Sequence, residues 1–489
     1  MGITLLCLLY NYYTLYQALH EPPVYSRRYS IPDSALHRNW SSERDPTIDF
    51  DDVFGRITNY EPKFPQVVRG IVLCVHNRIV PMAMSLLREL RALGNYEYVQ
   101  IYHCLPDELD YQAMEMFLED PLVEIIDLCS YMTQAGYFAT EETSIAFQNF
   151  WLKPLAVLFS SFNQVMLIDA DDIFFENPNS LWESKAYIDT GTLFFHDRVI
   201  DIRMFLNTEI NVTLPSGKNQ TTRYVGEFFK NFYFNEAGIL SKHTPSSQLL
   251  KSMVWNGYTA HEQDSSVVLI DKVRAGYWVL RVLWTLITHS RFDPICYSWG
   301  DKESFWLAFE LTGMPYRFSD WNCAVVSRLN DHYISNDTLC GSLAQYHPDT
   351  NSTPKVLFIN GQNVINPYPS FDAPYVPLDQ HLLELEENIP LDVTPRHHRK
   401  PTIANRGTYE ESCLIGEGSM PLNQHAAILQ RIKWAGKIAQ ELKPPLREEV
   451  VEDDLDFTEA MFILIVVLVP VFFIVLKAIP PISKEQLCV

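Results

Sequence analysis

Val165-Met166-Leu167-Ile168-Asp169-Ala170-Asp171-Asp172-Ile173-Phe174-Phe175-Glu176-Asn177-Pro178 is the stretch whose reading decides the fold. Four apolar residues, Val165 to Ile168, read as a buried parallel-type strand. Three carboxylates follow where that strand would end, the edge at which open α/β sheets place their ligands. Asp169 and Asp171 are two apart and would face opposite ways in an extended strand, so a turn beginning at Ala170 is needed to bring both to one hard cation. Mg²⁺ and Mn²⁺ take oxygen ligands and bridge a few carboxylates to phosphates, which suits a nucleotide diphosphate. Taken alone, Asp-x-Asp also describes a solvated turn or a helix N-cap. The apolar run before the acids, and Phe174, Phe175 and Pro178 after them, argue for an enclosed site. Carboxylates wedged between apolar segments need a partner to offset desolvation, and a metal is the simplest one.

The whole chain has 489 residues, 47% of them hydrophobic and 13% aromatic, enough for a sizeable core. Its formal net charge of −22 argues against a nucleic-acid partner, since such binding relies on Lys and Arg neutralising phosphates. The 9 cysteines include no C-x-x-C pair, so no zinc or thioredoxin-like motif is proposed. Cys296, Cys323 and Cys340 are near enough in sequence for one disulfide among them, with separate buried thiols the alternative.

Before the acidic strand the elements alternate. Gly70 to His76 reads as a strand, Ala83, Leu86, Leu87, Leu90 and Leu93 share one helical face, and Tyr98 to Tyr102 resumes a strand. Val123 to Asp127 is a further strand, and Ile145 to Ser161 a helix kinked at Pro154. This order predicts an α/β domain with a mostly parallel central sheet. No Gly-x-Gly-x-x-Gly or Walker A motif accompanies the first strand, which argues against an NAD enzyme or a P-loop NTPase. Beyond the acids, Val267 to Ile270 reads as a strand, Gly300-Asp301-Lys302-Glu303 opens a helix running through Leu311, and Asn423 to Leu442 is an amphipathic helix.

The two ends read differently from the middle. Residues 1–20 are a candidate signal peptide or signal anchor, and 21–64 a stem. Residues 65–375 form the α/β domain, and 376–459 a tail carrying the amphipathic helix. Ala460 to Leu476 carries no charge, lies between an acidic run and Lys477, and predicts a transmembrane helix over 460–479. The lysines after it put the short tail in the cytosol and the main domain in the lumen. Sequons at Asn39, Asn211, Asn219, Asn336 and Asn351 are compatible with that side.

Gly70-Ile71-Val72-Leu73-Cys74, Leu152-Lys153-Pro154-Leu155-Ala156-Val157-Leu158, Leu167-Ile168-Asp169-Ala170-Asp171, Thr190-Gly191-Thr192-Leu193-Phe194 with Asp197, and Gly300-Asp301-Lys302-Glu303 with Phe305 stand in register over residues 65 to 365. Together they resemble the fungal-type Golgi α-mannosyltransferases of glycosyltransferase family 71. The resemblance implies a GT-A-like nucleotide-sugar-binding domain, Mn²⁺ or Mg²⁺, GDP-mannose as donor, and transfer to a mannose-containing glycan with retention, in a Golgi or ER membrane protein with a lumenal catalytic domain. By the same resemblance Asp169 and Asp171 are the metal carboxylates, and Lys153 approaches the diphosphate or donor sugar. Gln263-Asp264-Ser265-Ser266 departs from a family pattern that carries Glu, Ser and Gly. Retention proceeds either by attack of a carboxylate on the far face, with Asp264 and then Asp197 the candidates, or by acceptor entry on the leaving-group face. A third metal ligand is expected late in the domain, His347 or Asn360. Two other readings stay open: the same fold with a UDP-sugar donor, and a non-catalytic membrane-tethered glycan-binding protein.

Overall fold

A computed structural model describes residues 62–138, 140–213, 216–239, 243–329, 331, 335–349, 354–369, 376–401 and 412–442. The expected segments at 1–20 and 460–479 lie outside the described residues, as do the sequons at Asn39 and Asn351. Among the described residues no helix is long and apolar enough to cross a membrane.

The central sheet has six strands: β1 (Arg69–Cys74), β2 (Val99–His103), β3 (Val123–Asp127), β4 (Gln164–Ile168), β6 (Thr192–His196) and β9 (Gln263–Asp271), in the order β3-β2-β1-β4-β9-β6. Strands β1 to β4 pair in parallel, and β9 runs antiparallel to both β4 and β6. The expected mostly parallel α/β sheet is therefore present. Alternation along the strands feeds two cores. Ile71, Leu73, Met166 and Ile168 point into one, with Leu86 and Leu90 of α1 (Val80–Ala92). Val72, Val165 and Leu167 point into the other, with α2 (Leu152–Phe159), α3 (Lys272–Thr288) and α4 (Ser304–Thr312).

A second, antiparallel sheet joins β5 (Asp172–Phe174), β12 (Val356–Asn360), β11 (Leu343–Tyr346) and β10 (Ala324–Val325). The chain thus passes from the main sheet at Ile168 to the small sheet at Asp172, and the acidic triplet is the crossing. Strands β7 (Glu209–Thr213) and β8 (Asn219–Arg223) form an exposed hairpin bearing Asn211 and Asn219.

Three expectations change. The break in the 145–161 helix falls before Pro154: a turn at Asn149–Trp151 precedes α2, and Pro154 sits in its first turn, where no intrahelical donor is needed. The tail helix, α5 (His425–Glu441), buries Ile428 and Ile432 against Met82, Ile173 and Ile359 and so belongs to the core. Cys340 is bonded to Cys413 and Cys323 is free, so the three clustered cysteines do not pair with one another; a further disulfide joins Cys104 to Cys129.

Candidate active site

The turn after β4 is tied down on both sides. Asp169 donates its amide to the Ser266 carbonyl (2.8 Å), and the Asp172 amide returns to the Asp169 carbonyl (3.2 Å). The Asp171 carbonyl accepts from the Gly361 amide at 2.9 Å, which draws the turn onto the end of β12. Asp171 lies close enough to Asp169 to raise its proton affinity. Lys153, on the first turn of α2, places its ammonium 2.6 and 2.9 Å from the two Asp169 oxygens and 3.6 Å from Asp301. Burial alone would drive Lys153 towards neutrality, but Asp169 and Asp301 hold it protonated. Burial pushes Asp169 up to about 7 against the pull of Lys153, with Asp171 and Asp301 adding to the rise.

Asp172 is fully buried and neither of its carboxyl oxygens has a hydrogen-bond partner. Burial, then Asp169, Asp171 and Asp264, raises it well above the usual carboxylate range. A buried carboxyl without a donor is costly and needs a reason. The donor set here, hard carboxylate oxygens beside an acidic turn, fits Mg²⁺ or Mn²⁺. Among the described residues no three His, Cys, Asp or Glu side chains already converge on one point. One or two carboxylates with phosphate oxygens completing the shell is a common arrangement for Mg²⁺ at nucleotide sites.

The second half of the site is organised by Gly300-Asp301-Lys302-Glu303. Gly300 takes a left-handed backbone (φ +60°), and the three following side chains reach into different parts of the site. Asp301 faces Lys153, Lys302 donates to Asp197 at 2.6 Å, and Glu303 accepts from the Glu262 and Gln263 amides at 3.1 and 3.4 Å. Burial works against the Asp197 carboxylate, yet Lys302 and Arg198 hold it well below the usual range. Asp264, at the start of β9, accepts from the Ser266 amide (3.1 Å), the Ser266 hydroxyl (3.0 Å) and Gln345 (2.8 Å). The Asp264 and Ser266 that depart from the family pattern therefore satisfy each other. Burial raises the Asp264 carboxyl, with Asp197 adding to the rise.

His347 is placed elsewhere. Its Nδ1 accepts from the Asp349 amide (3.2 Å), so its Nε2 carries the proton in the neutral ring and donates to Ser180 (3.1 Å), with Glu176 at 3.8 Å. Asn360 is the late residue brought to the acids, in register with Asp172 across β12 and β5. Sequence reasoning missed three contributors. Gln345 lay beside His347 but received no role; Arg399 reaches the Glu262 carboxylate (3.2 Å) and the His261 carbonyl (3.1 Å) from the segment read as a tail; and Arg431 lies behind the acidic turn.

Fold and site together define an α/β protein whose acidic crossing turn, buried lysine and second layer of carboxylates form a polar cluster at the carboxyl edge of its sheet. Residues 68–349 match the family described as "Mannosyltransferase putative" (Mannosyl_trans3), and the chain belongs to that family, as the motifs led one to expect. It is similar to "Putative alpha-1,3-mannosyltransferase MNN1" of Candida albicans (27% identical over 287 residues, 53% of this chain and 33% of that one). It is also similar to "Alpha-1,3-mannosyltransferase MNT3" of Saccharomyces cerevisiae (24% over 308 residues, 60% and 46%). The chain thus spans between about a third and a half of the length of these curated relatives. Among solved structures, the S. cerevisiae mannosyltransferase Ktr4p in complex with GDP aligns with 16% identity over 56% of this chain and 79% of that one, at a TM-score of 0.28.

Proposed function

We propose that this chain is a metal-dependent retaining glycosyltransferase with a GT-A-like domain, transferring mannose from GDP-mannose to a mannose-containing glycan in the secretory pathway. The observation that carries the reading is the crossing turn, where Asp169 and Asp171 stand beside buried Lys153 and the unpartnered Asp172 carboxyl. Membership of a mannosyltransferase family supports mannose as the sugar. The Cys104–Cys129 and Cys340–Cys413 disulfides and exposed sequons at Asn211, Asn219 and Asn336 support a lumenal setting, and the apolar segments at the ends would supply a membrane anchor.

Asp169 and Asp171 would hold the cation, which on binding supplies positive charge to the departing diphosphate. Lys153 adds a second cation beside it, already desolvated and aimed by Asp169 and Asp301. In the transfer the bond from the mannosyl C1 to the phosphate oxygen breaks, the acceptor oxygen bonds to C1, and the acceptor's proton passes to the departing phosphate oxygen. Asp264 and Asp197 serve the acceptor side. Because donors engage both Asp264 oxygens, we favour entry on the leaving-group face, with Asp264 stabilising the positive charge on the sugar.

The test is donor binding by the full-length protein in detergent, comparing GDP-mannose, UDP-glucose and UDP-galactose with and without Mn²⁺, alongside Asp171→Ala. Mn²⁺-dependent binding of GDP-mannose, abolished in a variant that melts as the parent does, is expected, because Asp171 is half-buried at the turn rather than packed in the core. Preference for a UDP-sugar would overturn the donor. Failure of the folded protein to bind any donor would put the non-catalytic glycan-binding reading in its place.

A further inference from the structure

Helix α5 lies outside the 68–349 family match, and one of its side chains ends at the acidic turn. Arg431 is fully buried, the one charged residue on a helix face otherwise made of Ile428, Ile432, Ala435, Gly436, Ile438 and Ala439. Its Nη2 donates to the carbonyls of Asp172 (2.8 Å) and Ala170 (3.3 Å), the residues on either side of Asp171. Its Nη1 donates to the Ser85 hydroxyl (2.7 Å) and the Met82 carbonyl (3.2 Å), so the same guanidinium is anchored on α1. Glu89, also on α1, completes the frame: one oxygen lies 3.6 Å from Arg431 Nε, and the other accepts from the Phe174 amide at 2.8 Å. The turn and the strand after it are thereby held from behind at three backbone groups by two buried charged side chains.

Stability does not account for this arrangement. Burying a guanidinium costs several kcal/mol, and a buried ion pair is often no more stable than apolar residues of the same volume. Leucine at 431 would continue the stripe of α5 without a buried charge, and would leave the Met82, Ala170 and Asp172 carbonyls without this donor. The planar guanidinium of arginine does offer what leucine cannot: the two diverging N–H bonds of Nη2 tie two carbonyls of the turn together while Nη1 is anchored on α1. We propose that Arg431, with Glu89, is a positioning residue of the donor site: it holds the backbone on both sides of Asp171 so that the Asp169 and Asp171 carboxylates are presented to a cation–diphosphate ligand in one geometry. This rests on the reading of that turn as the donor site. It also makes the C-terminal helix, beyond the family match, part of the binding machinery.

The experiment uses the full chain in three variants: the charge-neutral pair Arg431→Met with Glu89→Gln, which leaves neither buried charge alone and retains an acceptor for the Phe174 amide; Ser85→Ala, which removes only the anchor; and Arg431→Lys, which keeps the charge but loses the planar guanidinium. Titration calorimetry with GDP and Mn²⁺ is read beside the ligand-free unfolding midpoint and hydrogen exchange of the 169–174 peptide. The pair is expected to weaken Mn²⁺-dependent GDP binding by about 10- to 100-fold, as loss of groups orienting a metal's ligands does. Its midpoint should match the parent's, and exchange should quicken in the 169–174 peptide. Ser85→Ala and Arg431→Lys should fall in between. Parental affinity in a folded pair variant would overturn the proposal while leaving the donor site standing. So would a loss of binding accompanied by a lower midpoint and faster exchange throughout, which marks a merely structural role. Absence of GDP binding in the parent itself would overturn the donor-site reading and this proposal with it.

Discussion

Replacing Lys302 by methionine tests whether the second half of the site is a strong buried pair or an ordinary surface contact. Lys302 and Asp197 are 2.6 Å apart, with side-chain exposures of 24% and 6%. At an effective dielectric of about 20 their attraction is roughly 6 kcal/mol before desolvation is counted. Removing one member of a fully buried pair costs about 3–5 kcal/mol. Lys302 is a quarter exposed, and Asp197 keeps the Arg198 amide at 2.7 Å and its guanidinium at 3.9 Å, so the expectation here is lower, about 2–3 kcal/mol. The pH dependence has a definite sign. The folded Asp197 carboxyl lies below its unfolded value, so the unfolded chain takes up the proton first; the stabilisation is fully present above the ordinary carboxylate range and disappears as pH falls through the folded value. The gap between parent and Lys302→Met in urea denaturation should therefore be widest at neutral pH and narrow towards and below about pH 3.9. Donor affinity should stay near the parent's while acceptor KM rises, because Lys302 lies beside Asp197 and Asp264 rather than the crossing turn. A neutral-pH gap under about 0.5 kcal/mol, typical of an exposed pair, or one that does not close in acid, would refute the reasoning.

Gly300→Ala forces a side chain into a left-handed turn and puts its Cβ 2.8 Å from that of Phe150. A loss of about 1–2 kcal/mol from the backbone alone is expected, with lower turnover because Asp301 and Lys302 follow directly; unchanged melting and turnover would show that the turn is not under constraint. Glu310, buried at the end of α4, accepts from Tyr316 (2.8 Å), the Ser246 hydroxyl (2.7 Å) and the Ser246 amide (2.9 Å), with His243 Nε2 at 2.9 Å. Glu310→Gln sets a donor against these partners and should lower stability by about 2–4 kcal/mol without changing donor affinity in the folded protein. Chemical denaturation and calorimetry at one temperature separate the two effects, and a loss confined to affinity would contradict the assignment.

What could be read from the sequence was what local pattern encodes. The apolar runs that became β1, β3 and β4 lie on strands buried on both faces, where a short hydrophobic run is the whole signal. The acidic turn and Lys153 stood out because charge interrupts such runs. The partners of those residues did not stand out. Asp301 follows Trp299 and Gly300, where an acid reads equally well as a helix cap, and nothing local says that it turns to Lys153. The break at Asn149–Trp151 was misplaced onto Pro154 because a proline in a first turn and a proline at a kink look alike until the helix start is known.

Arg431 was a different kind of omission, because its signal was present. Ile428, Ile432, Ala435, Ile438 and Ala439 mark the apolar stripe of α5, and position 431 falls on that stripe at the i+3 spacing from Ile428. A charged residue on the stripe of an amphipathic helix is either an error in the helix assignment or a buried charge with a partner. Reading the helix only as amphipathic, and its segment as a tail, discarded that choice. Glu89 gives the same signal on α1, where Leu86 and Leu90 bracket it on the buried side. Two such residues of opposite charge, on helices far apart in sequence, suggest a pair that brings the helices together. Here the pair meets behind the one turn whose backbone must not move, which is why its effect belongs in the binding measurement and not only in the melting curve.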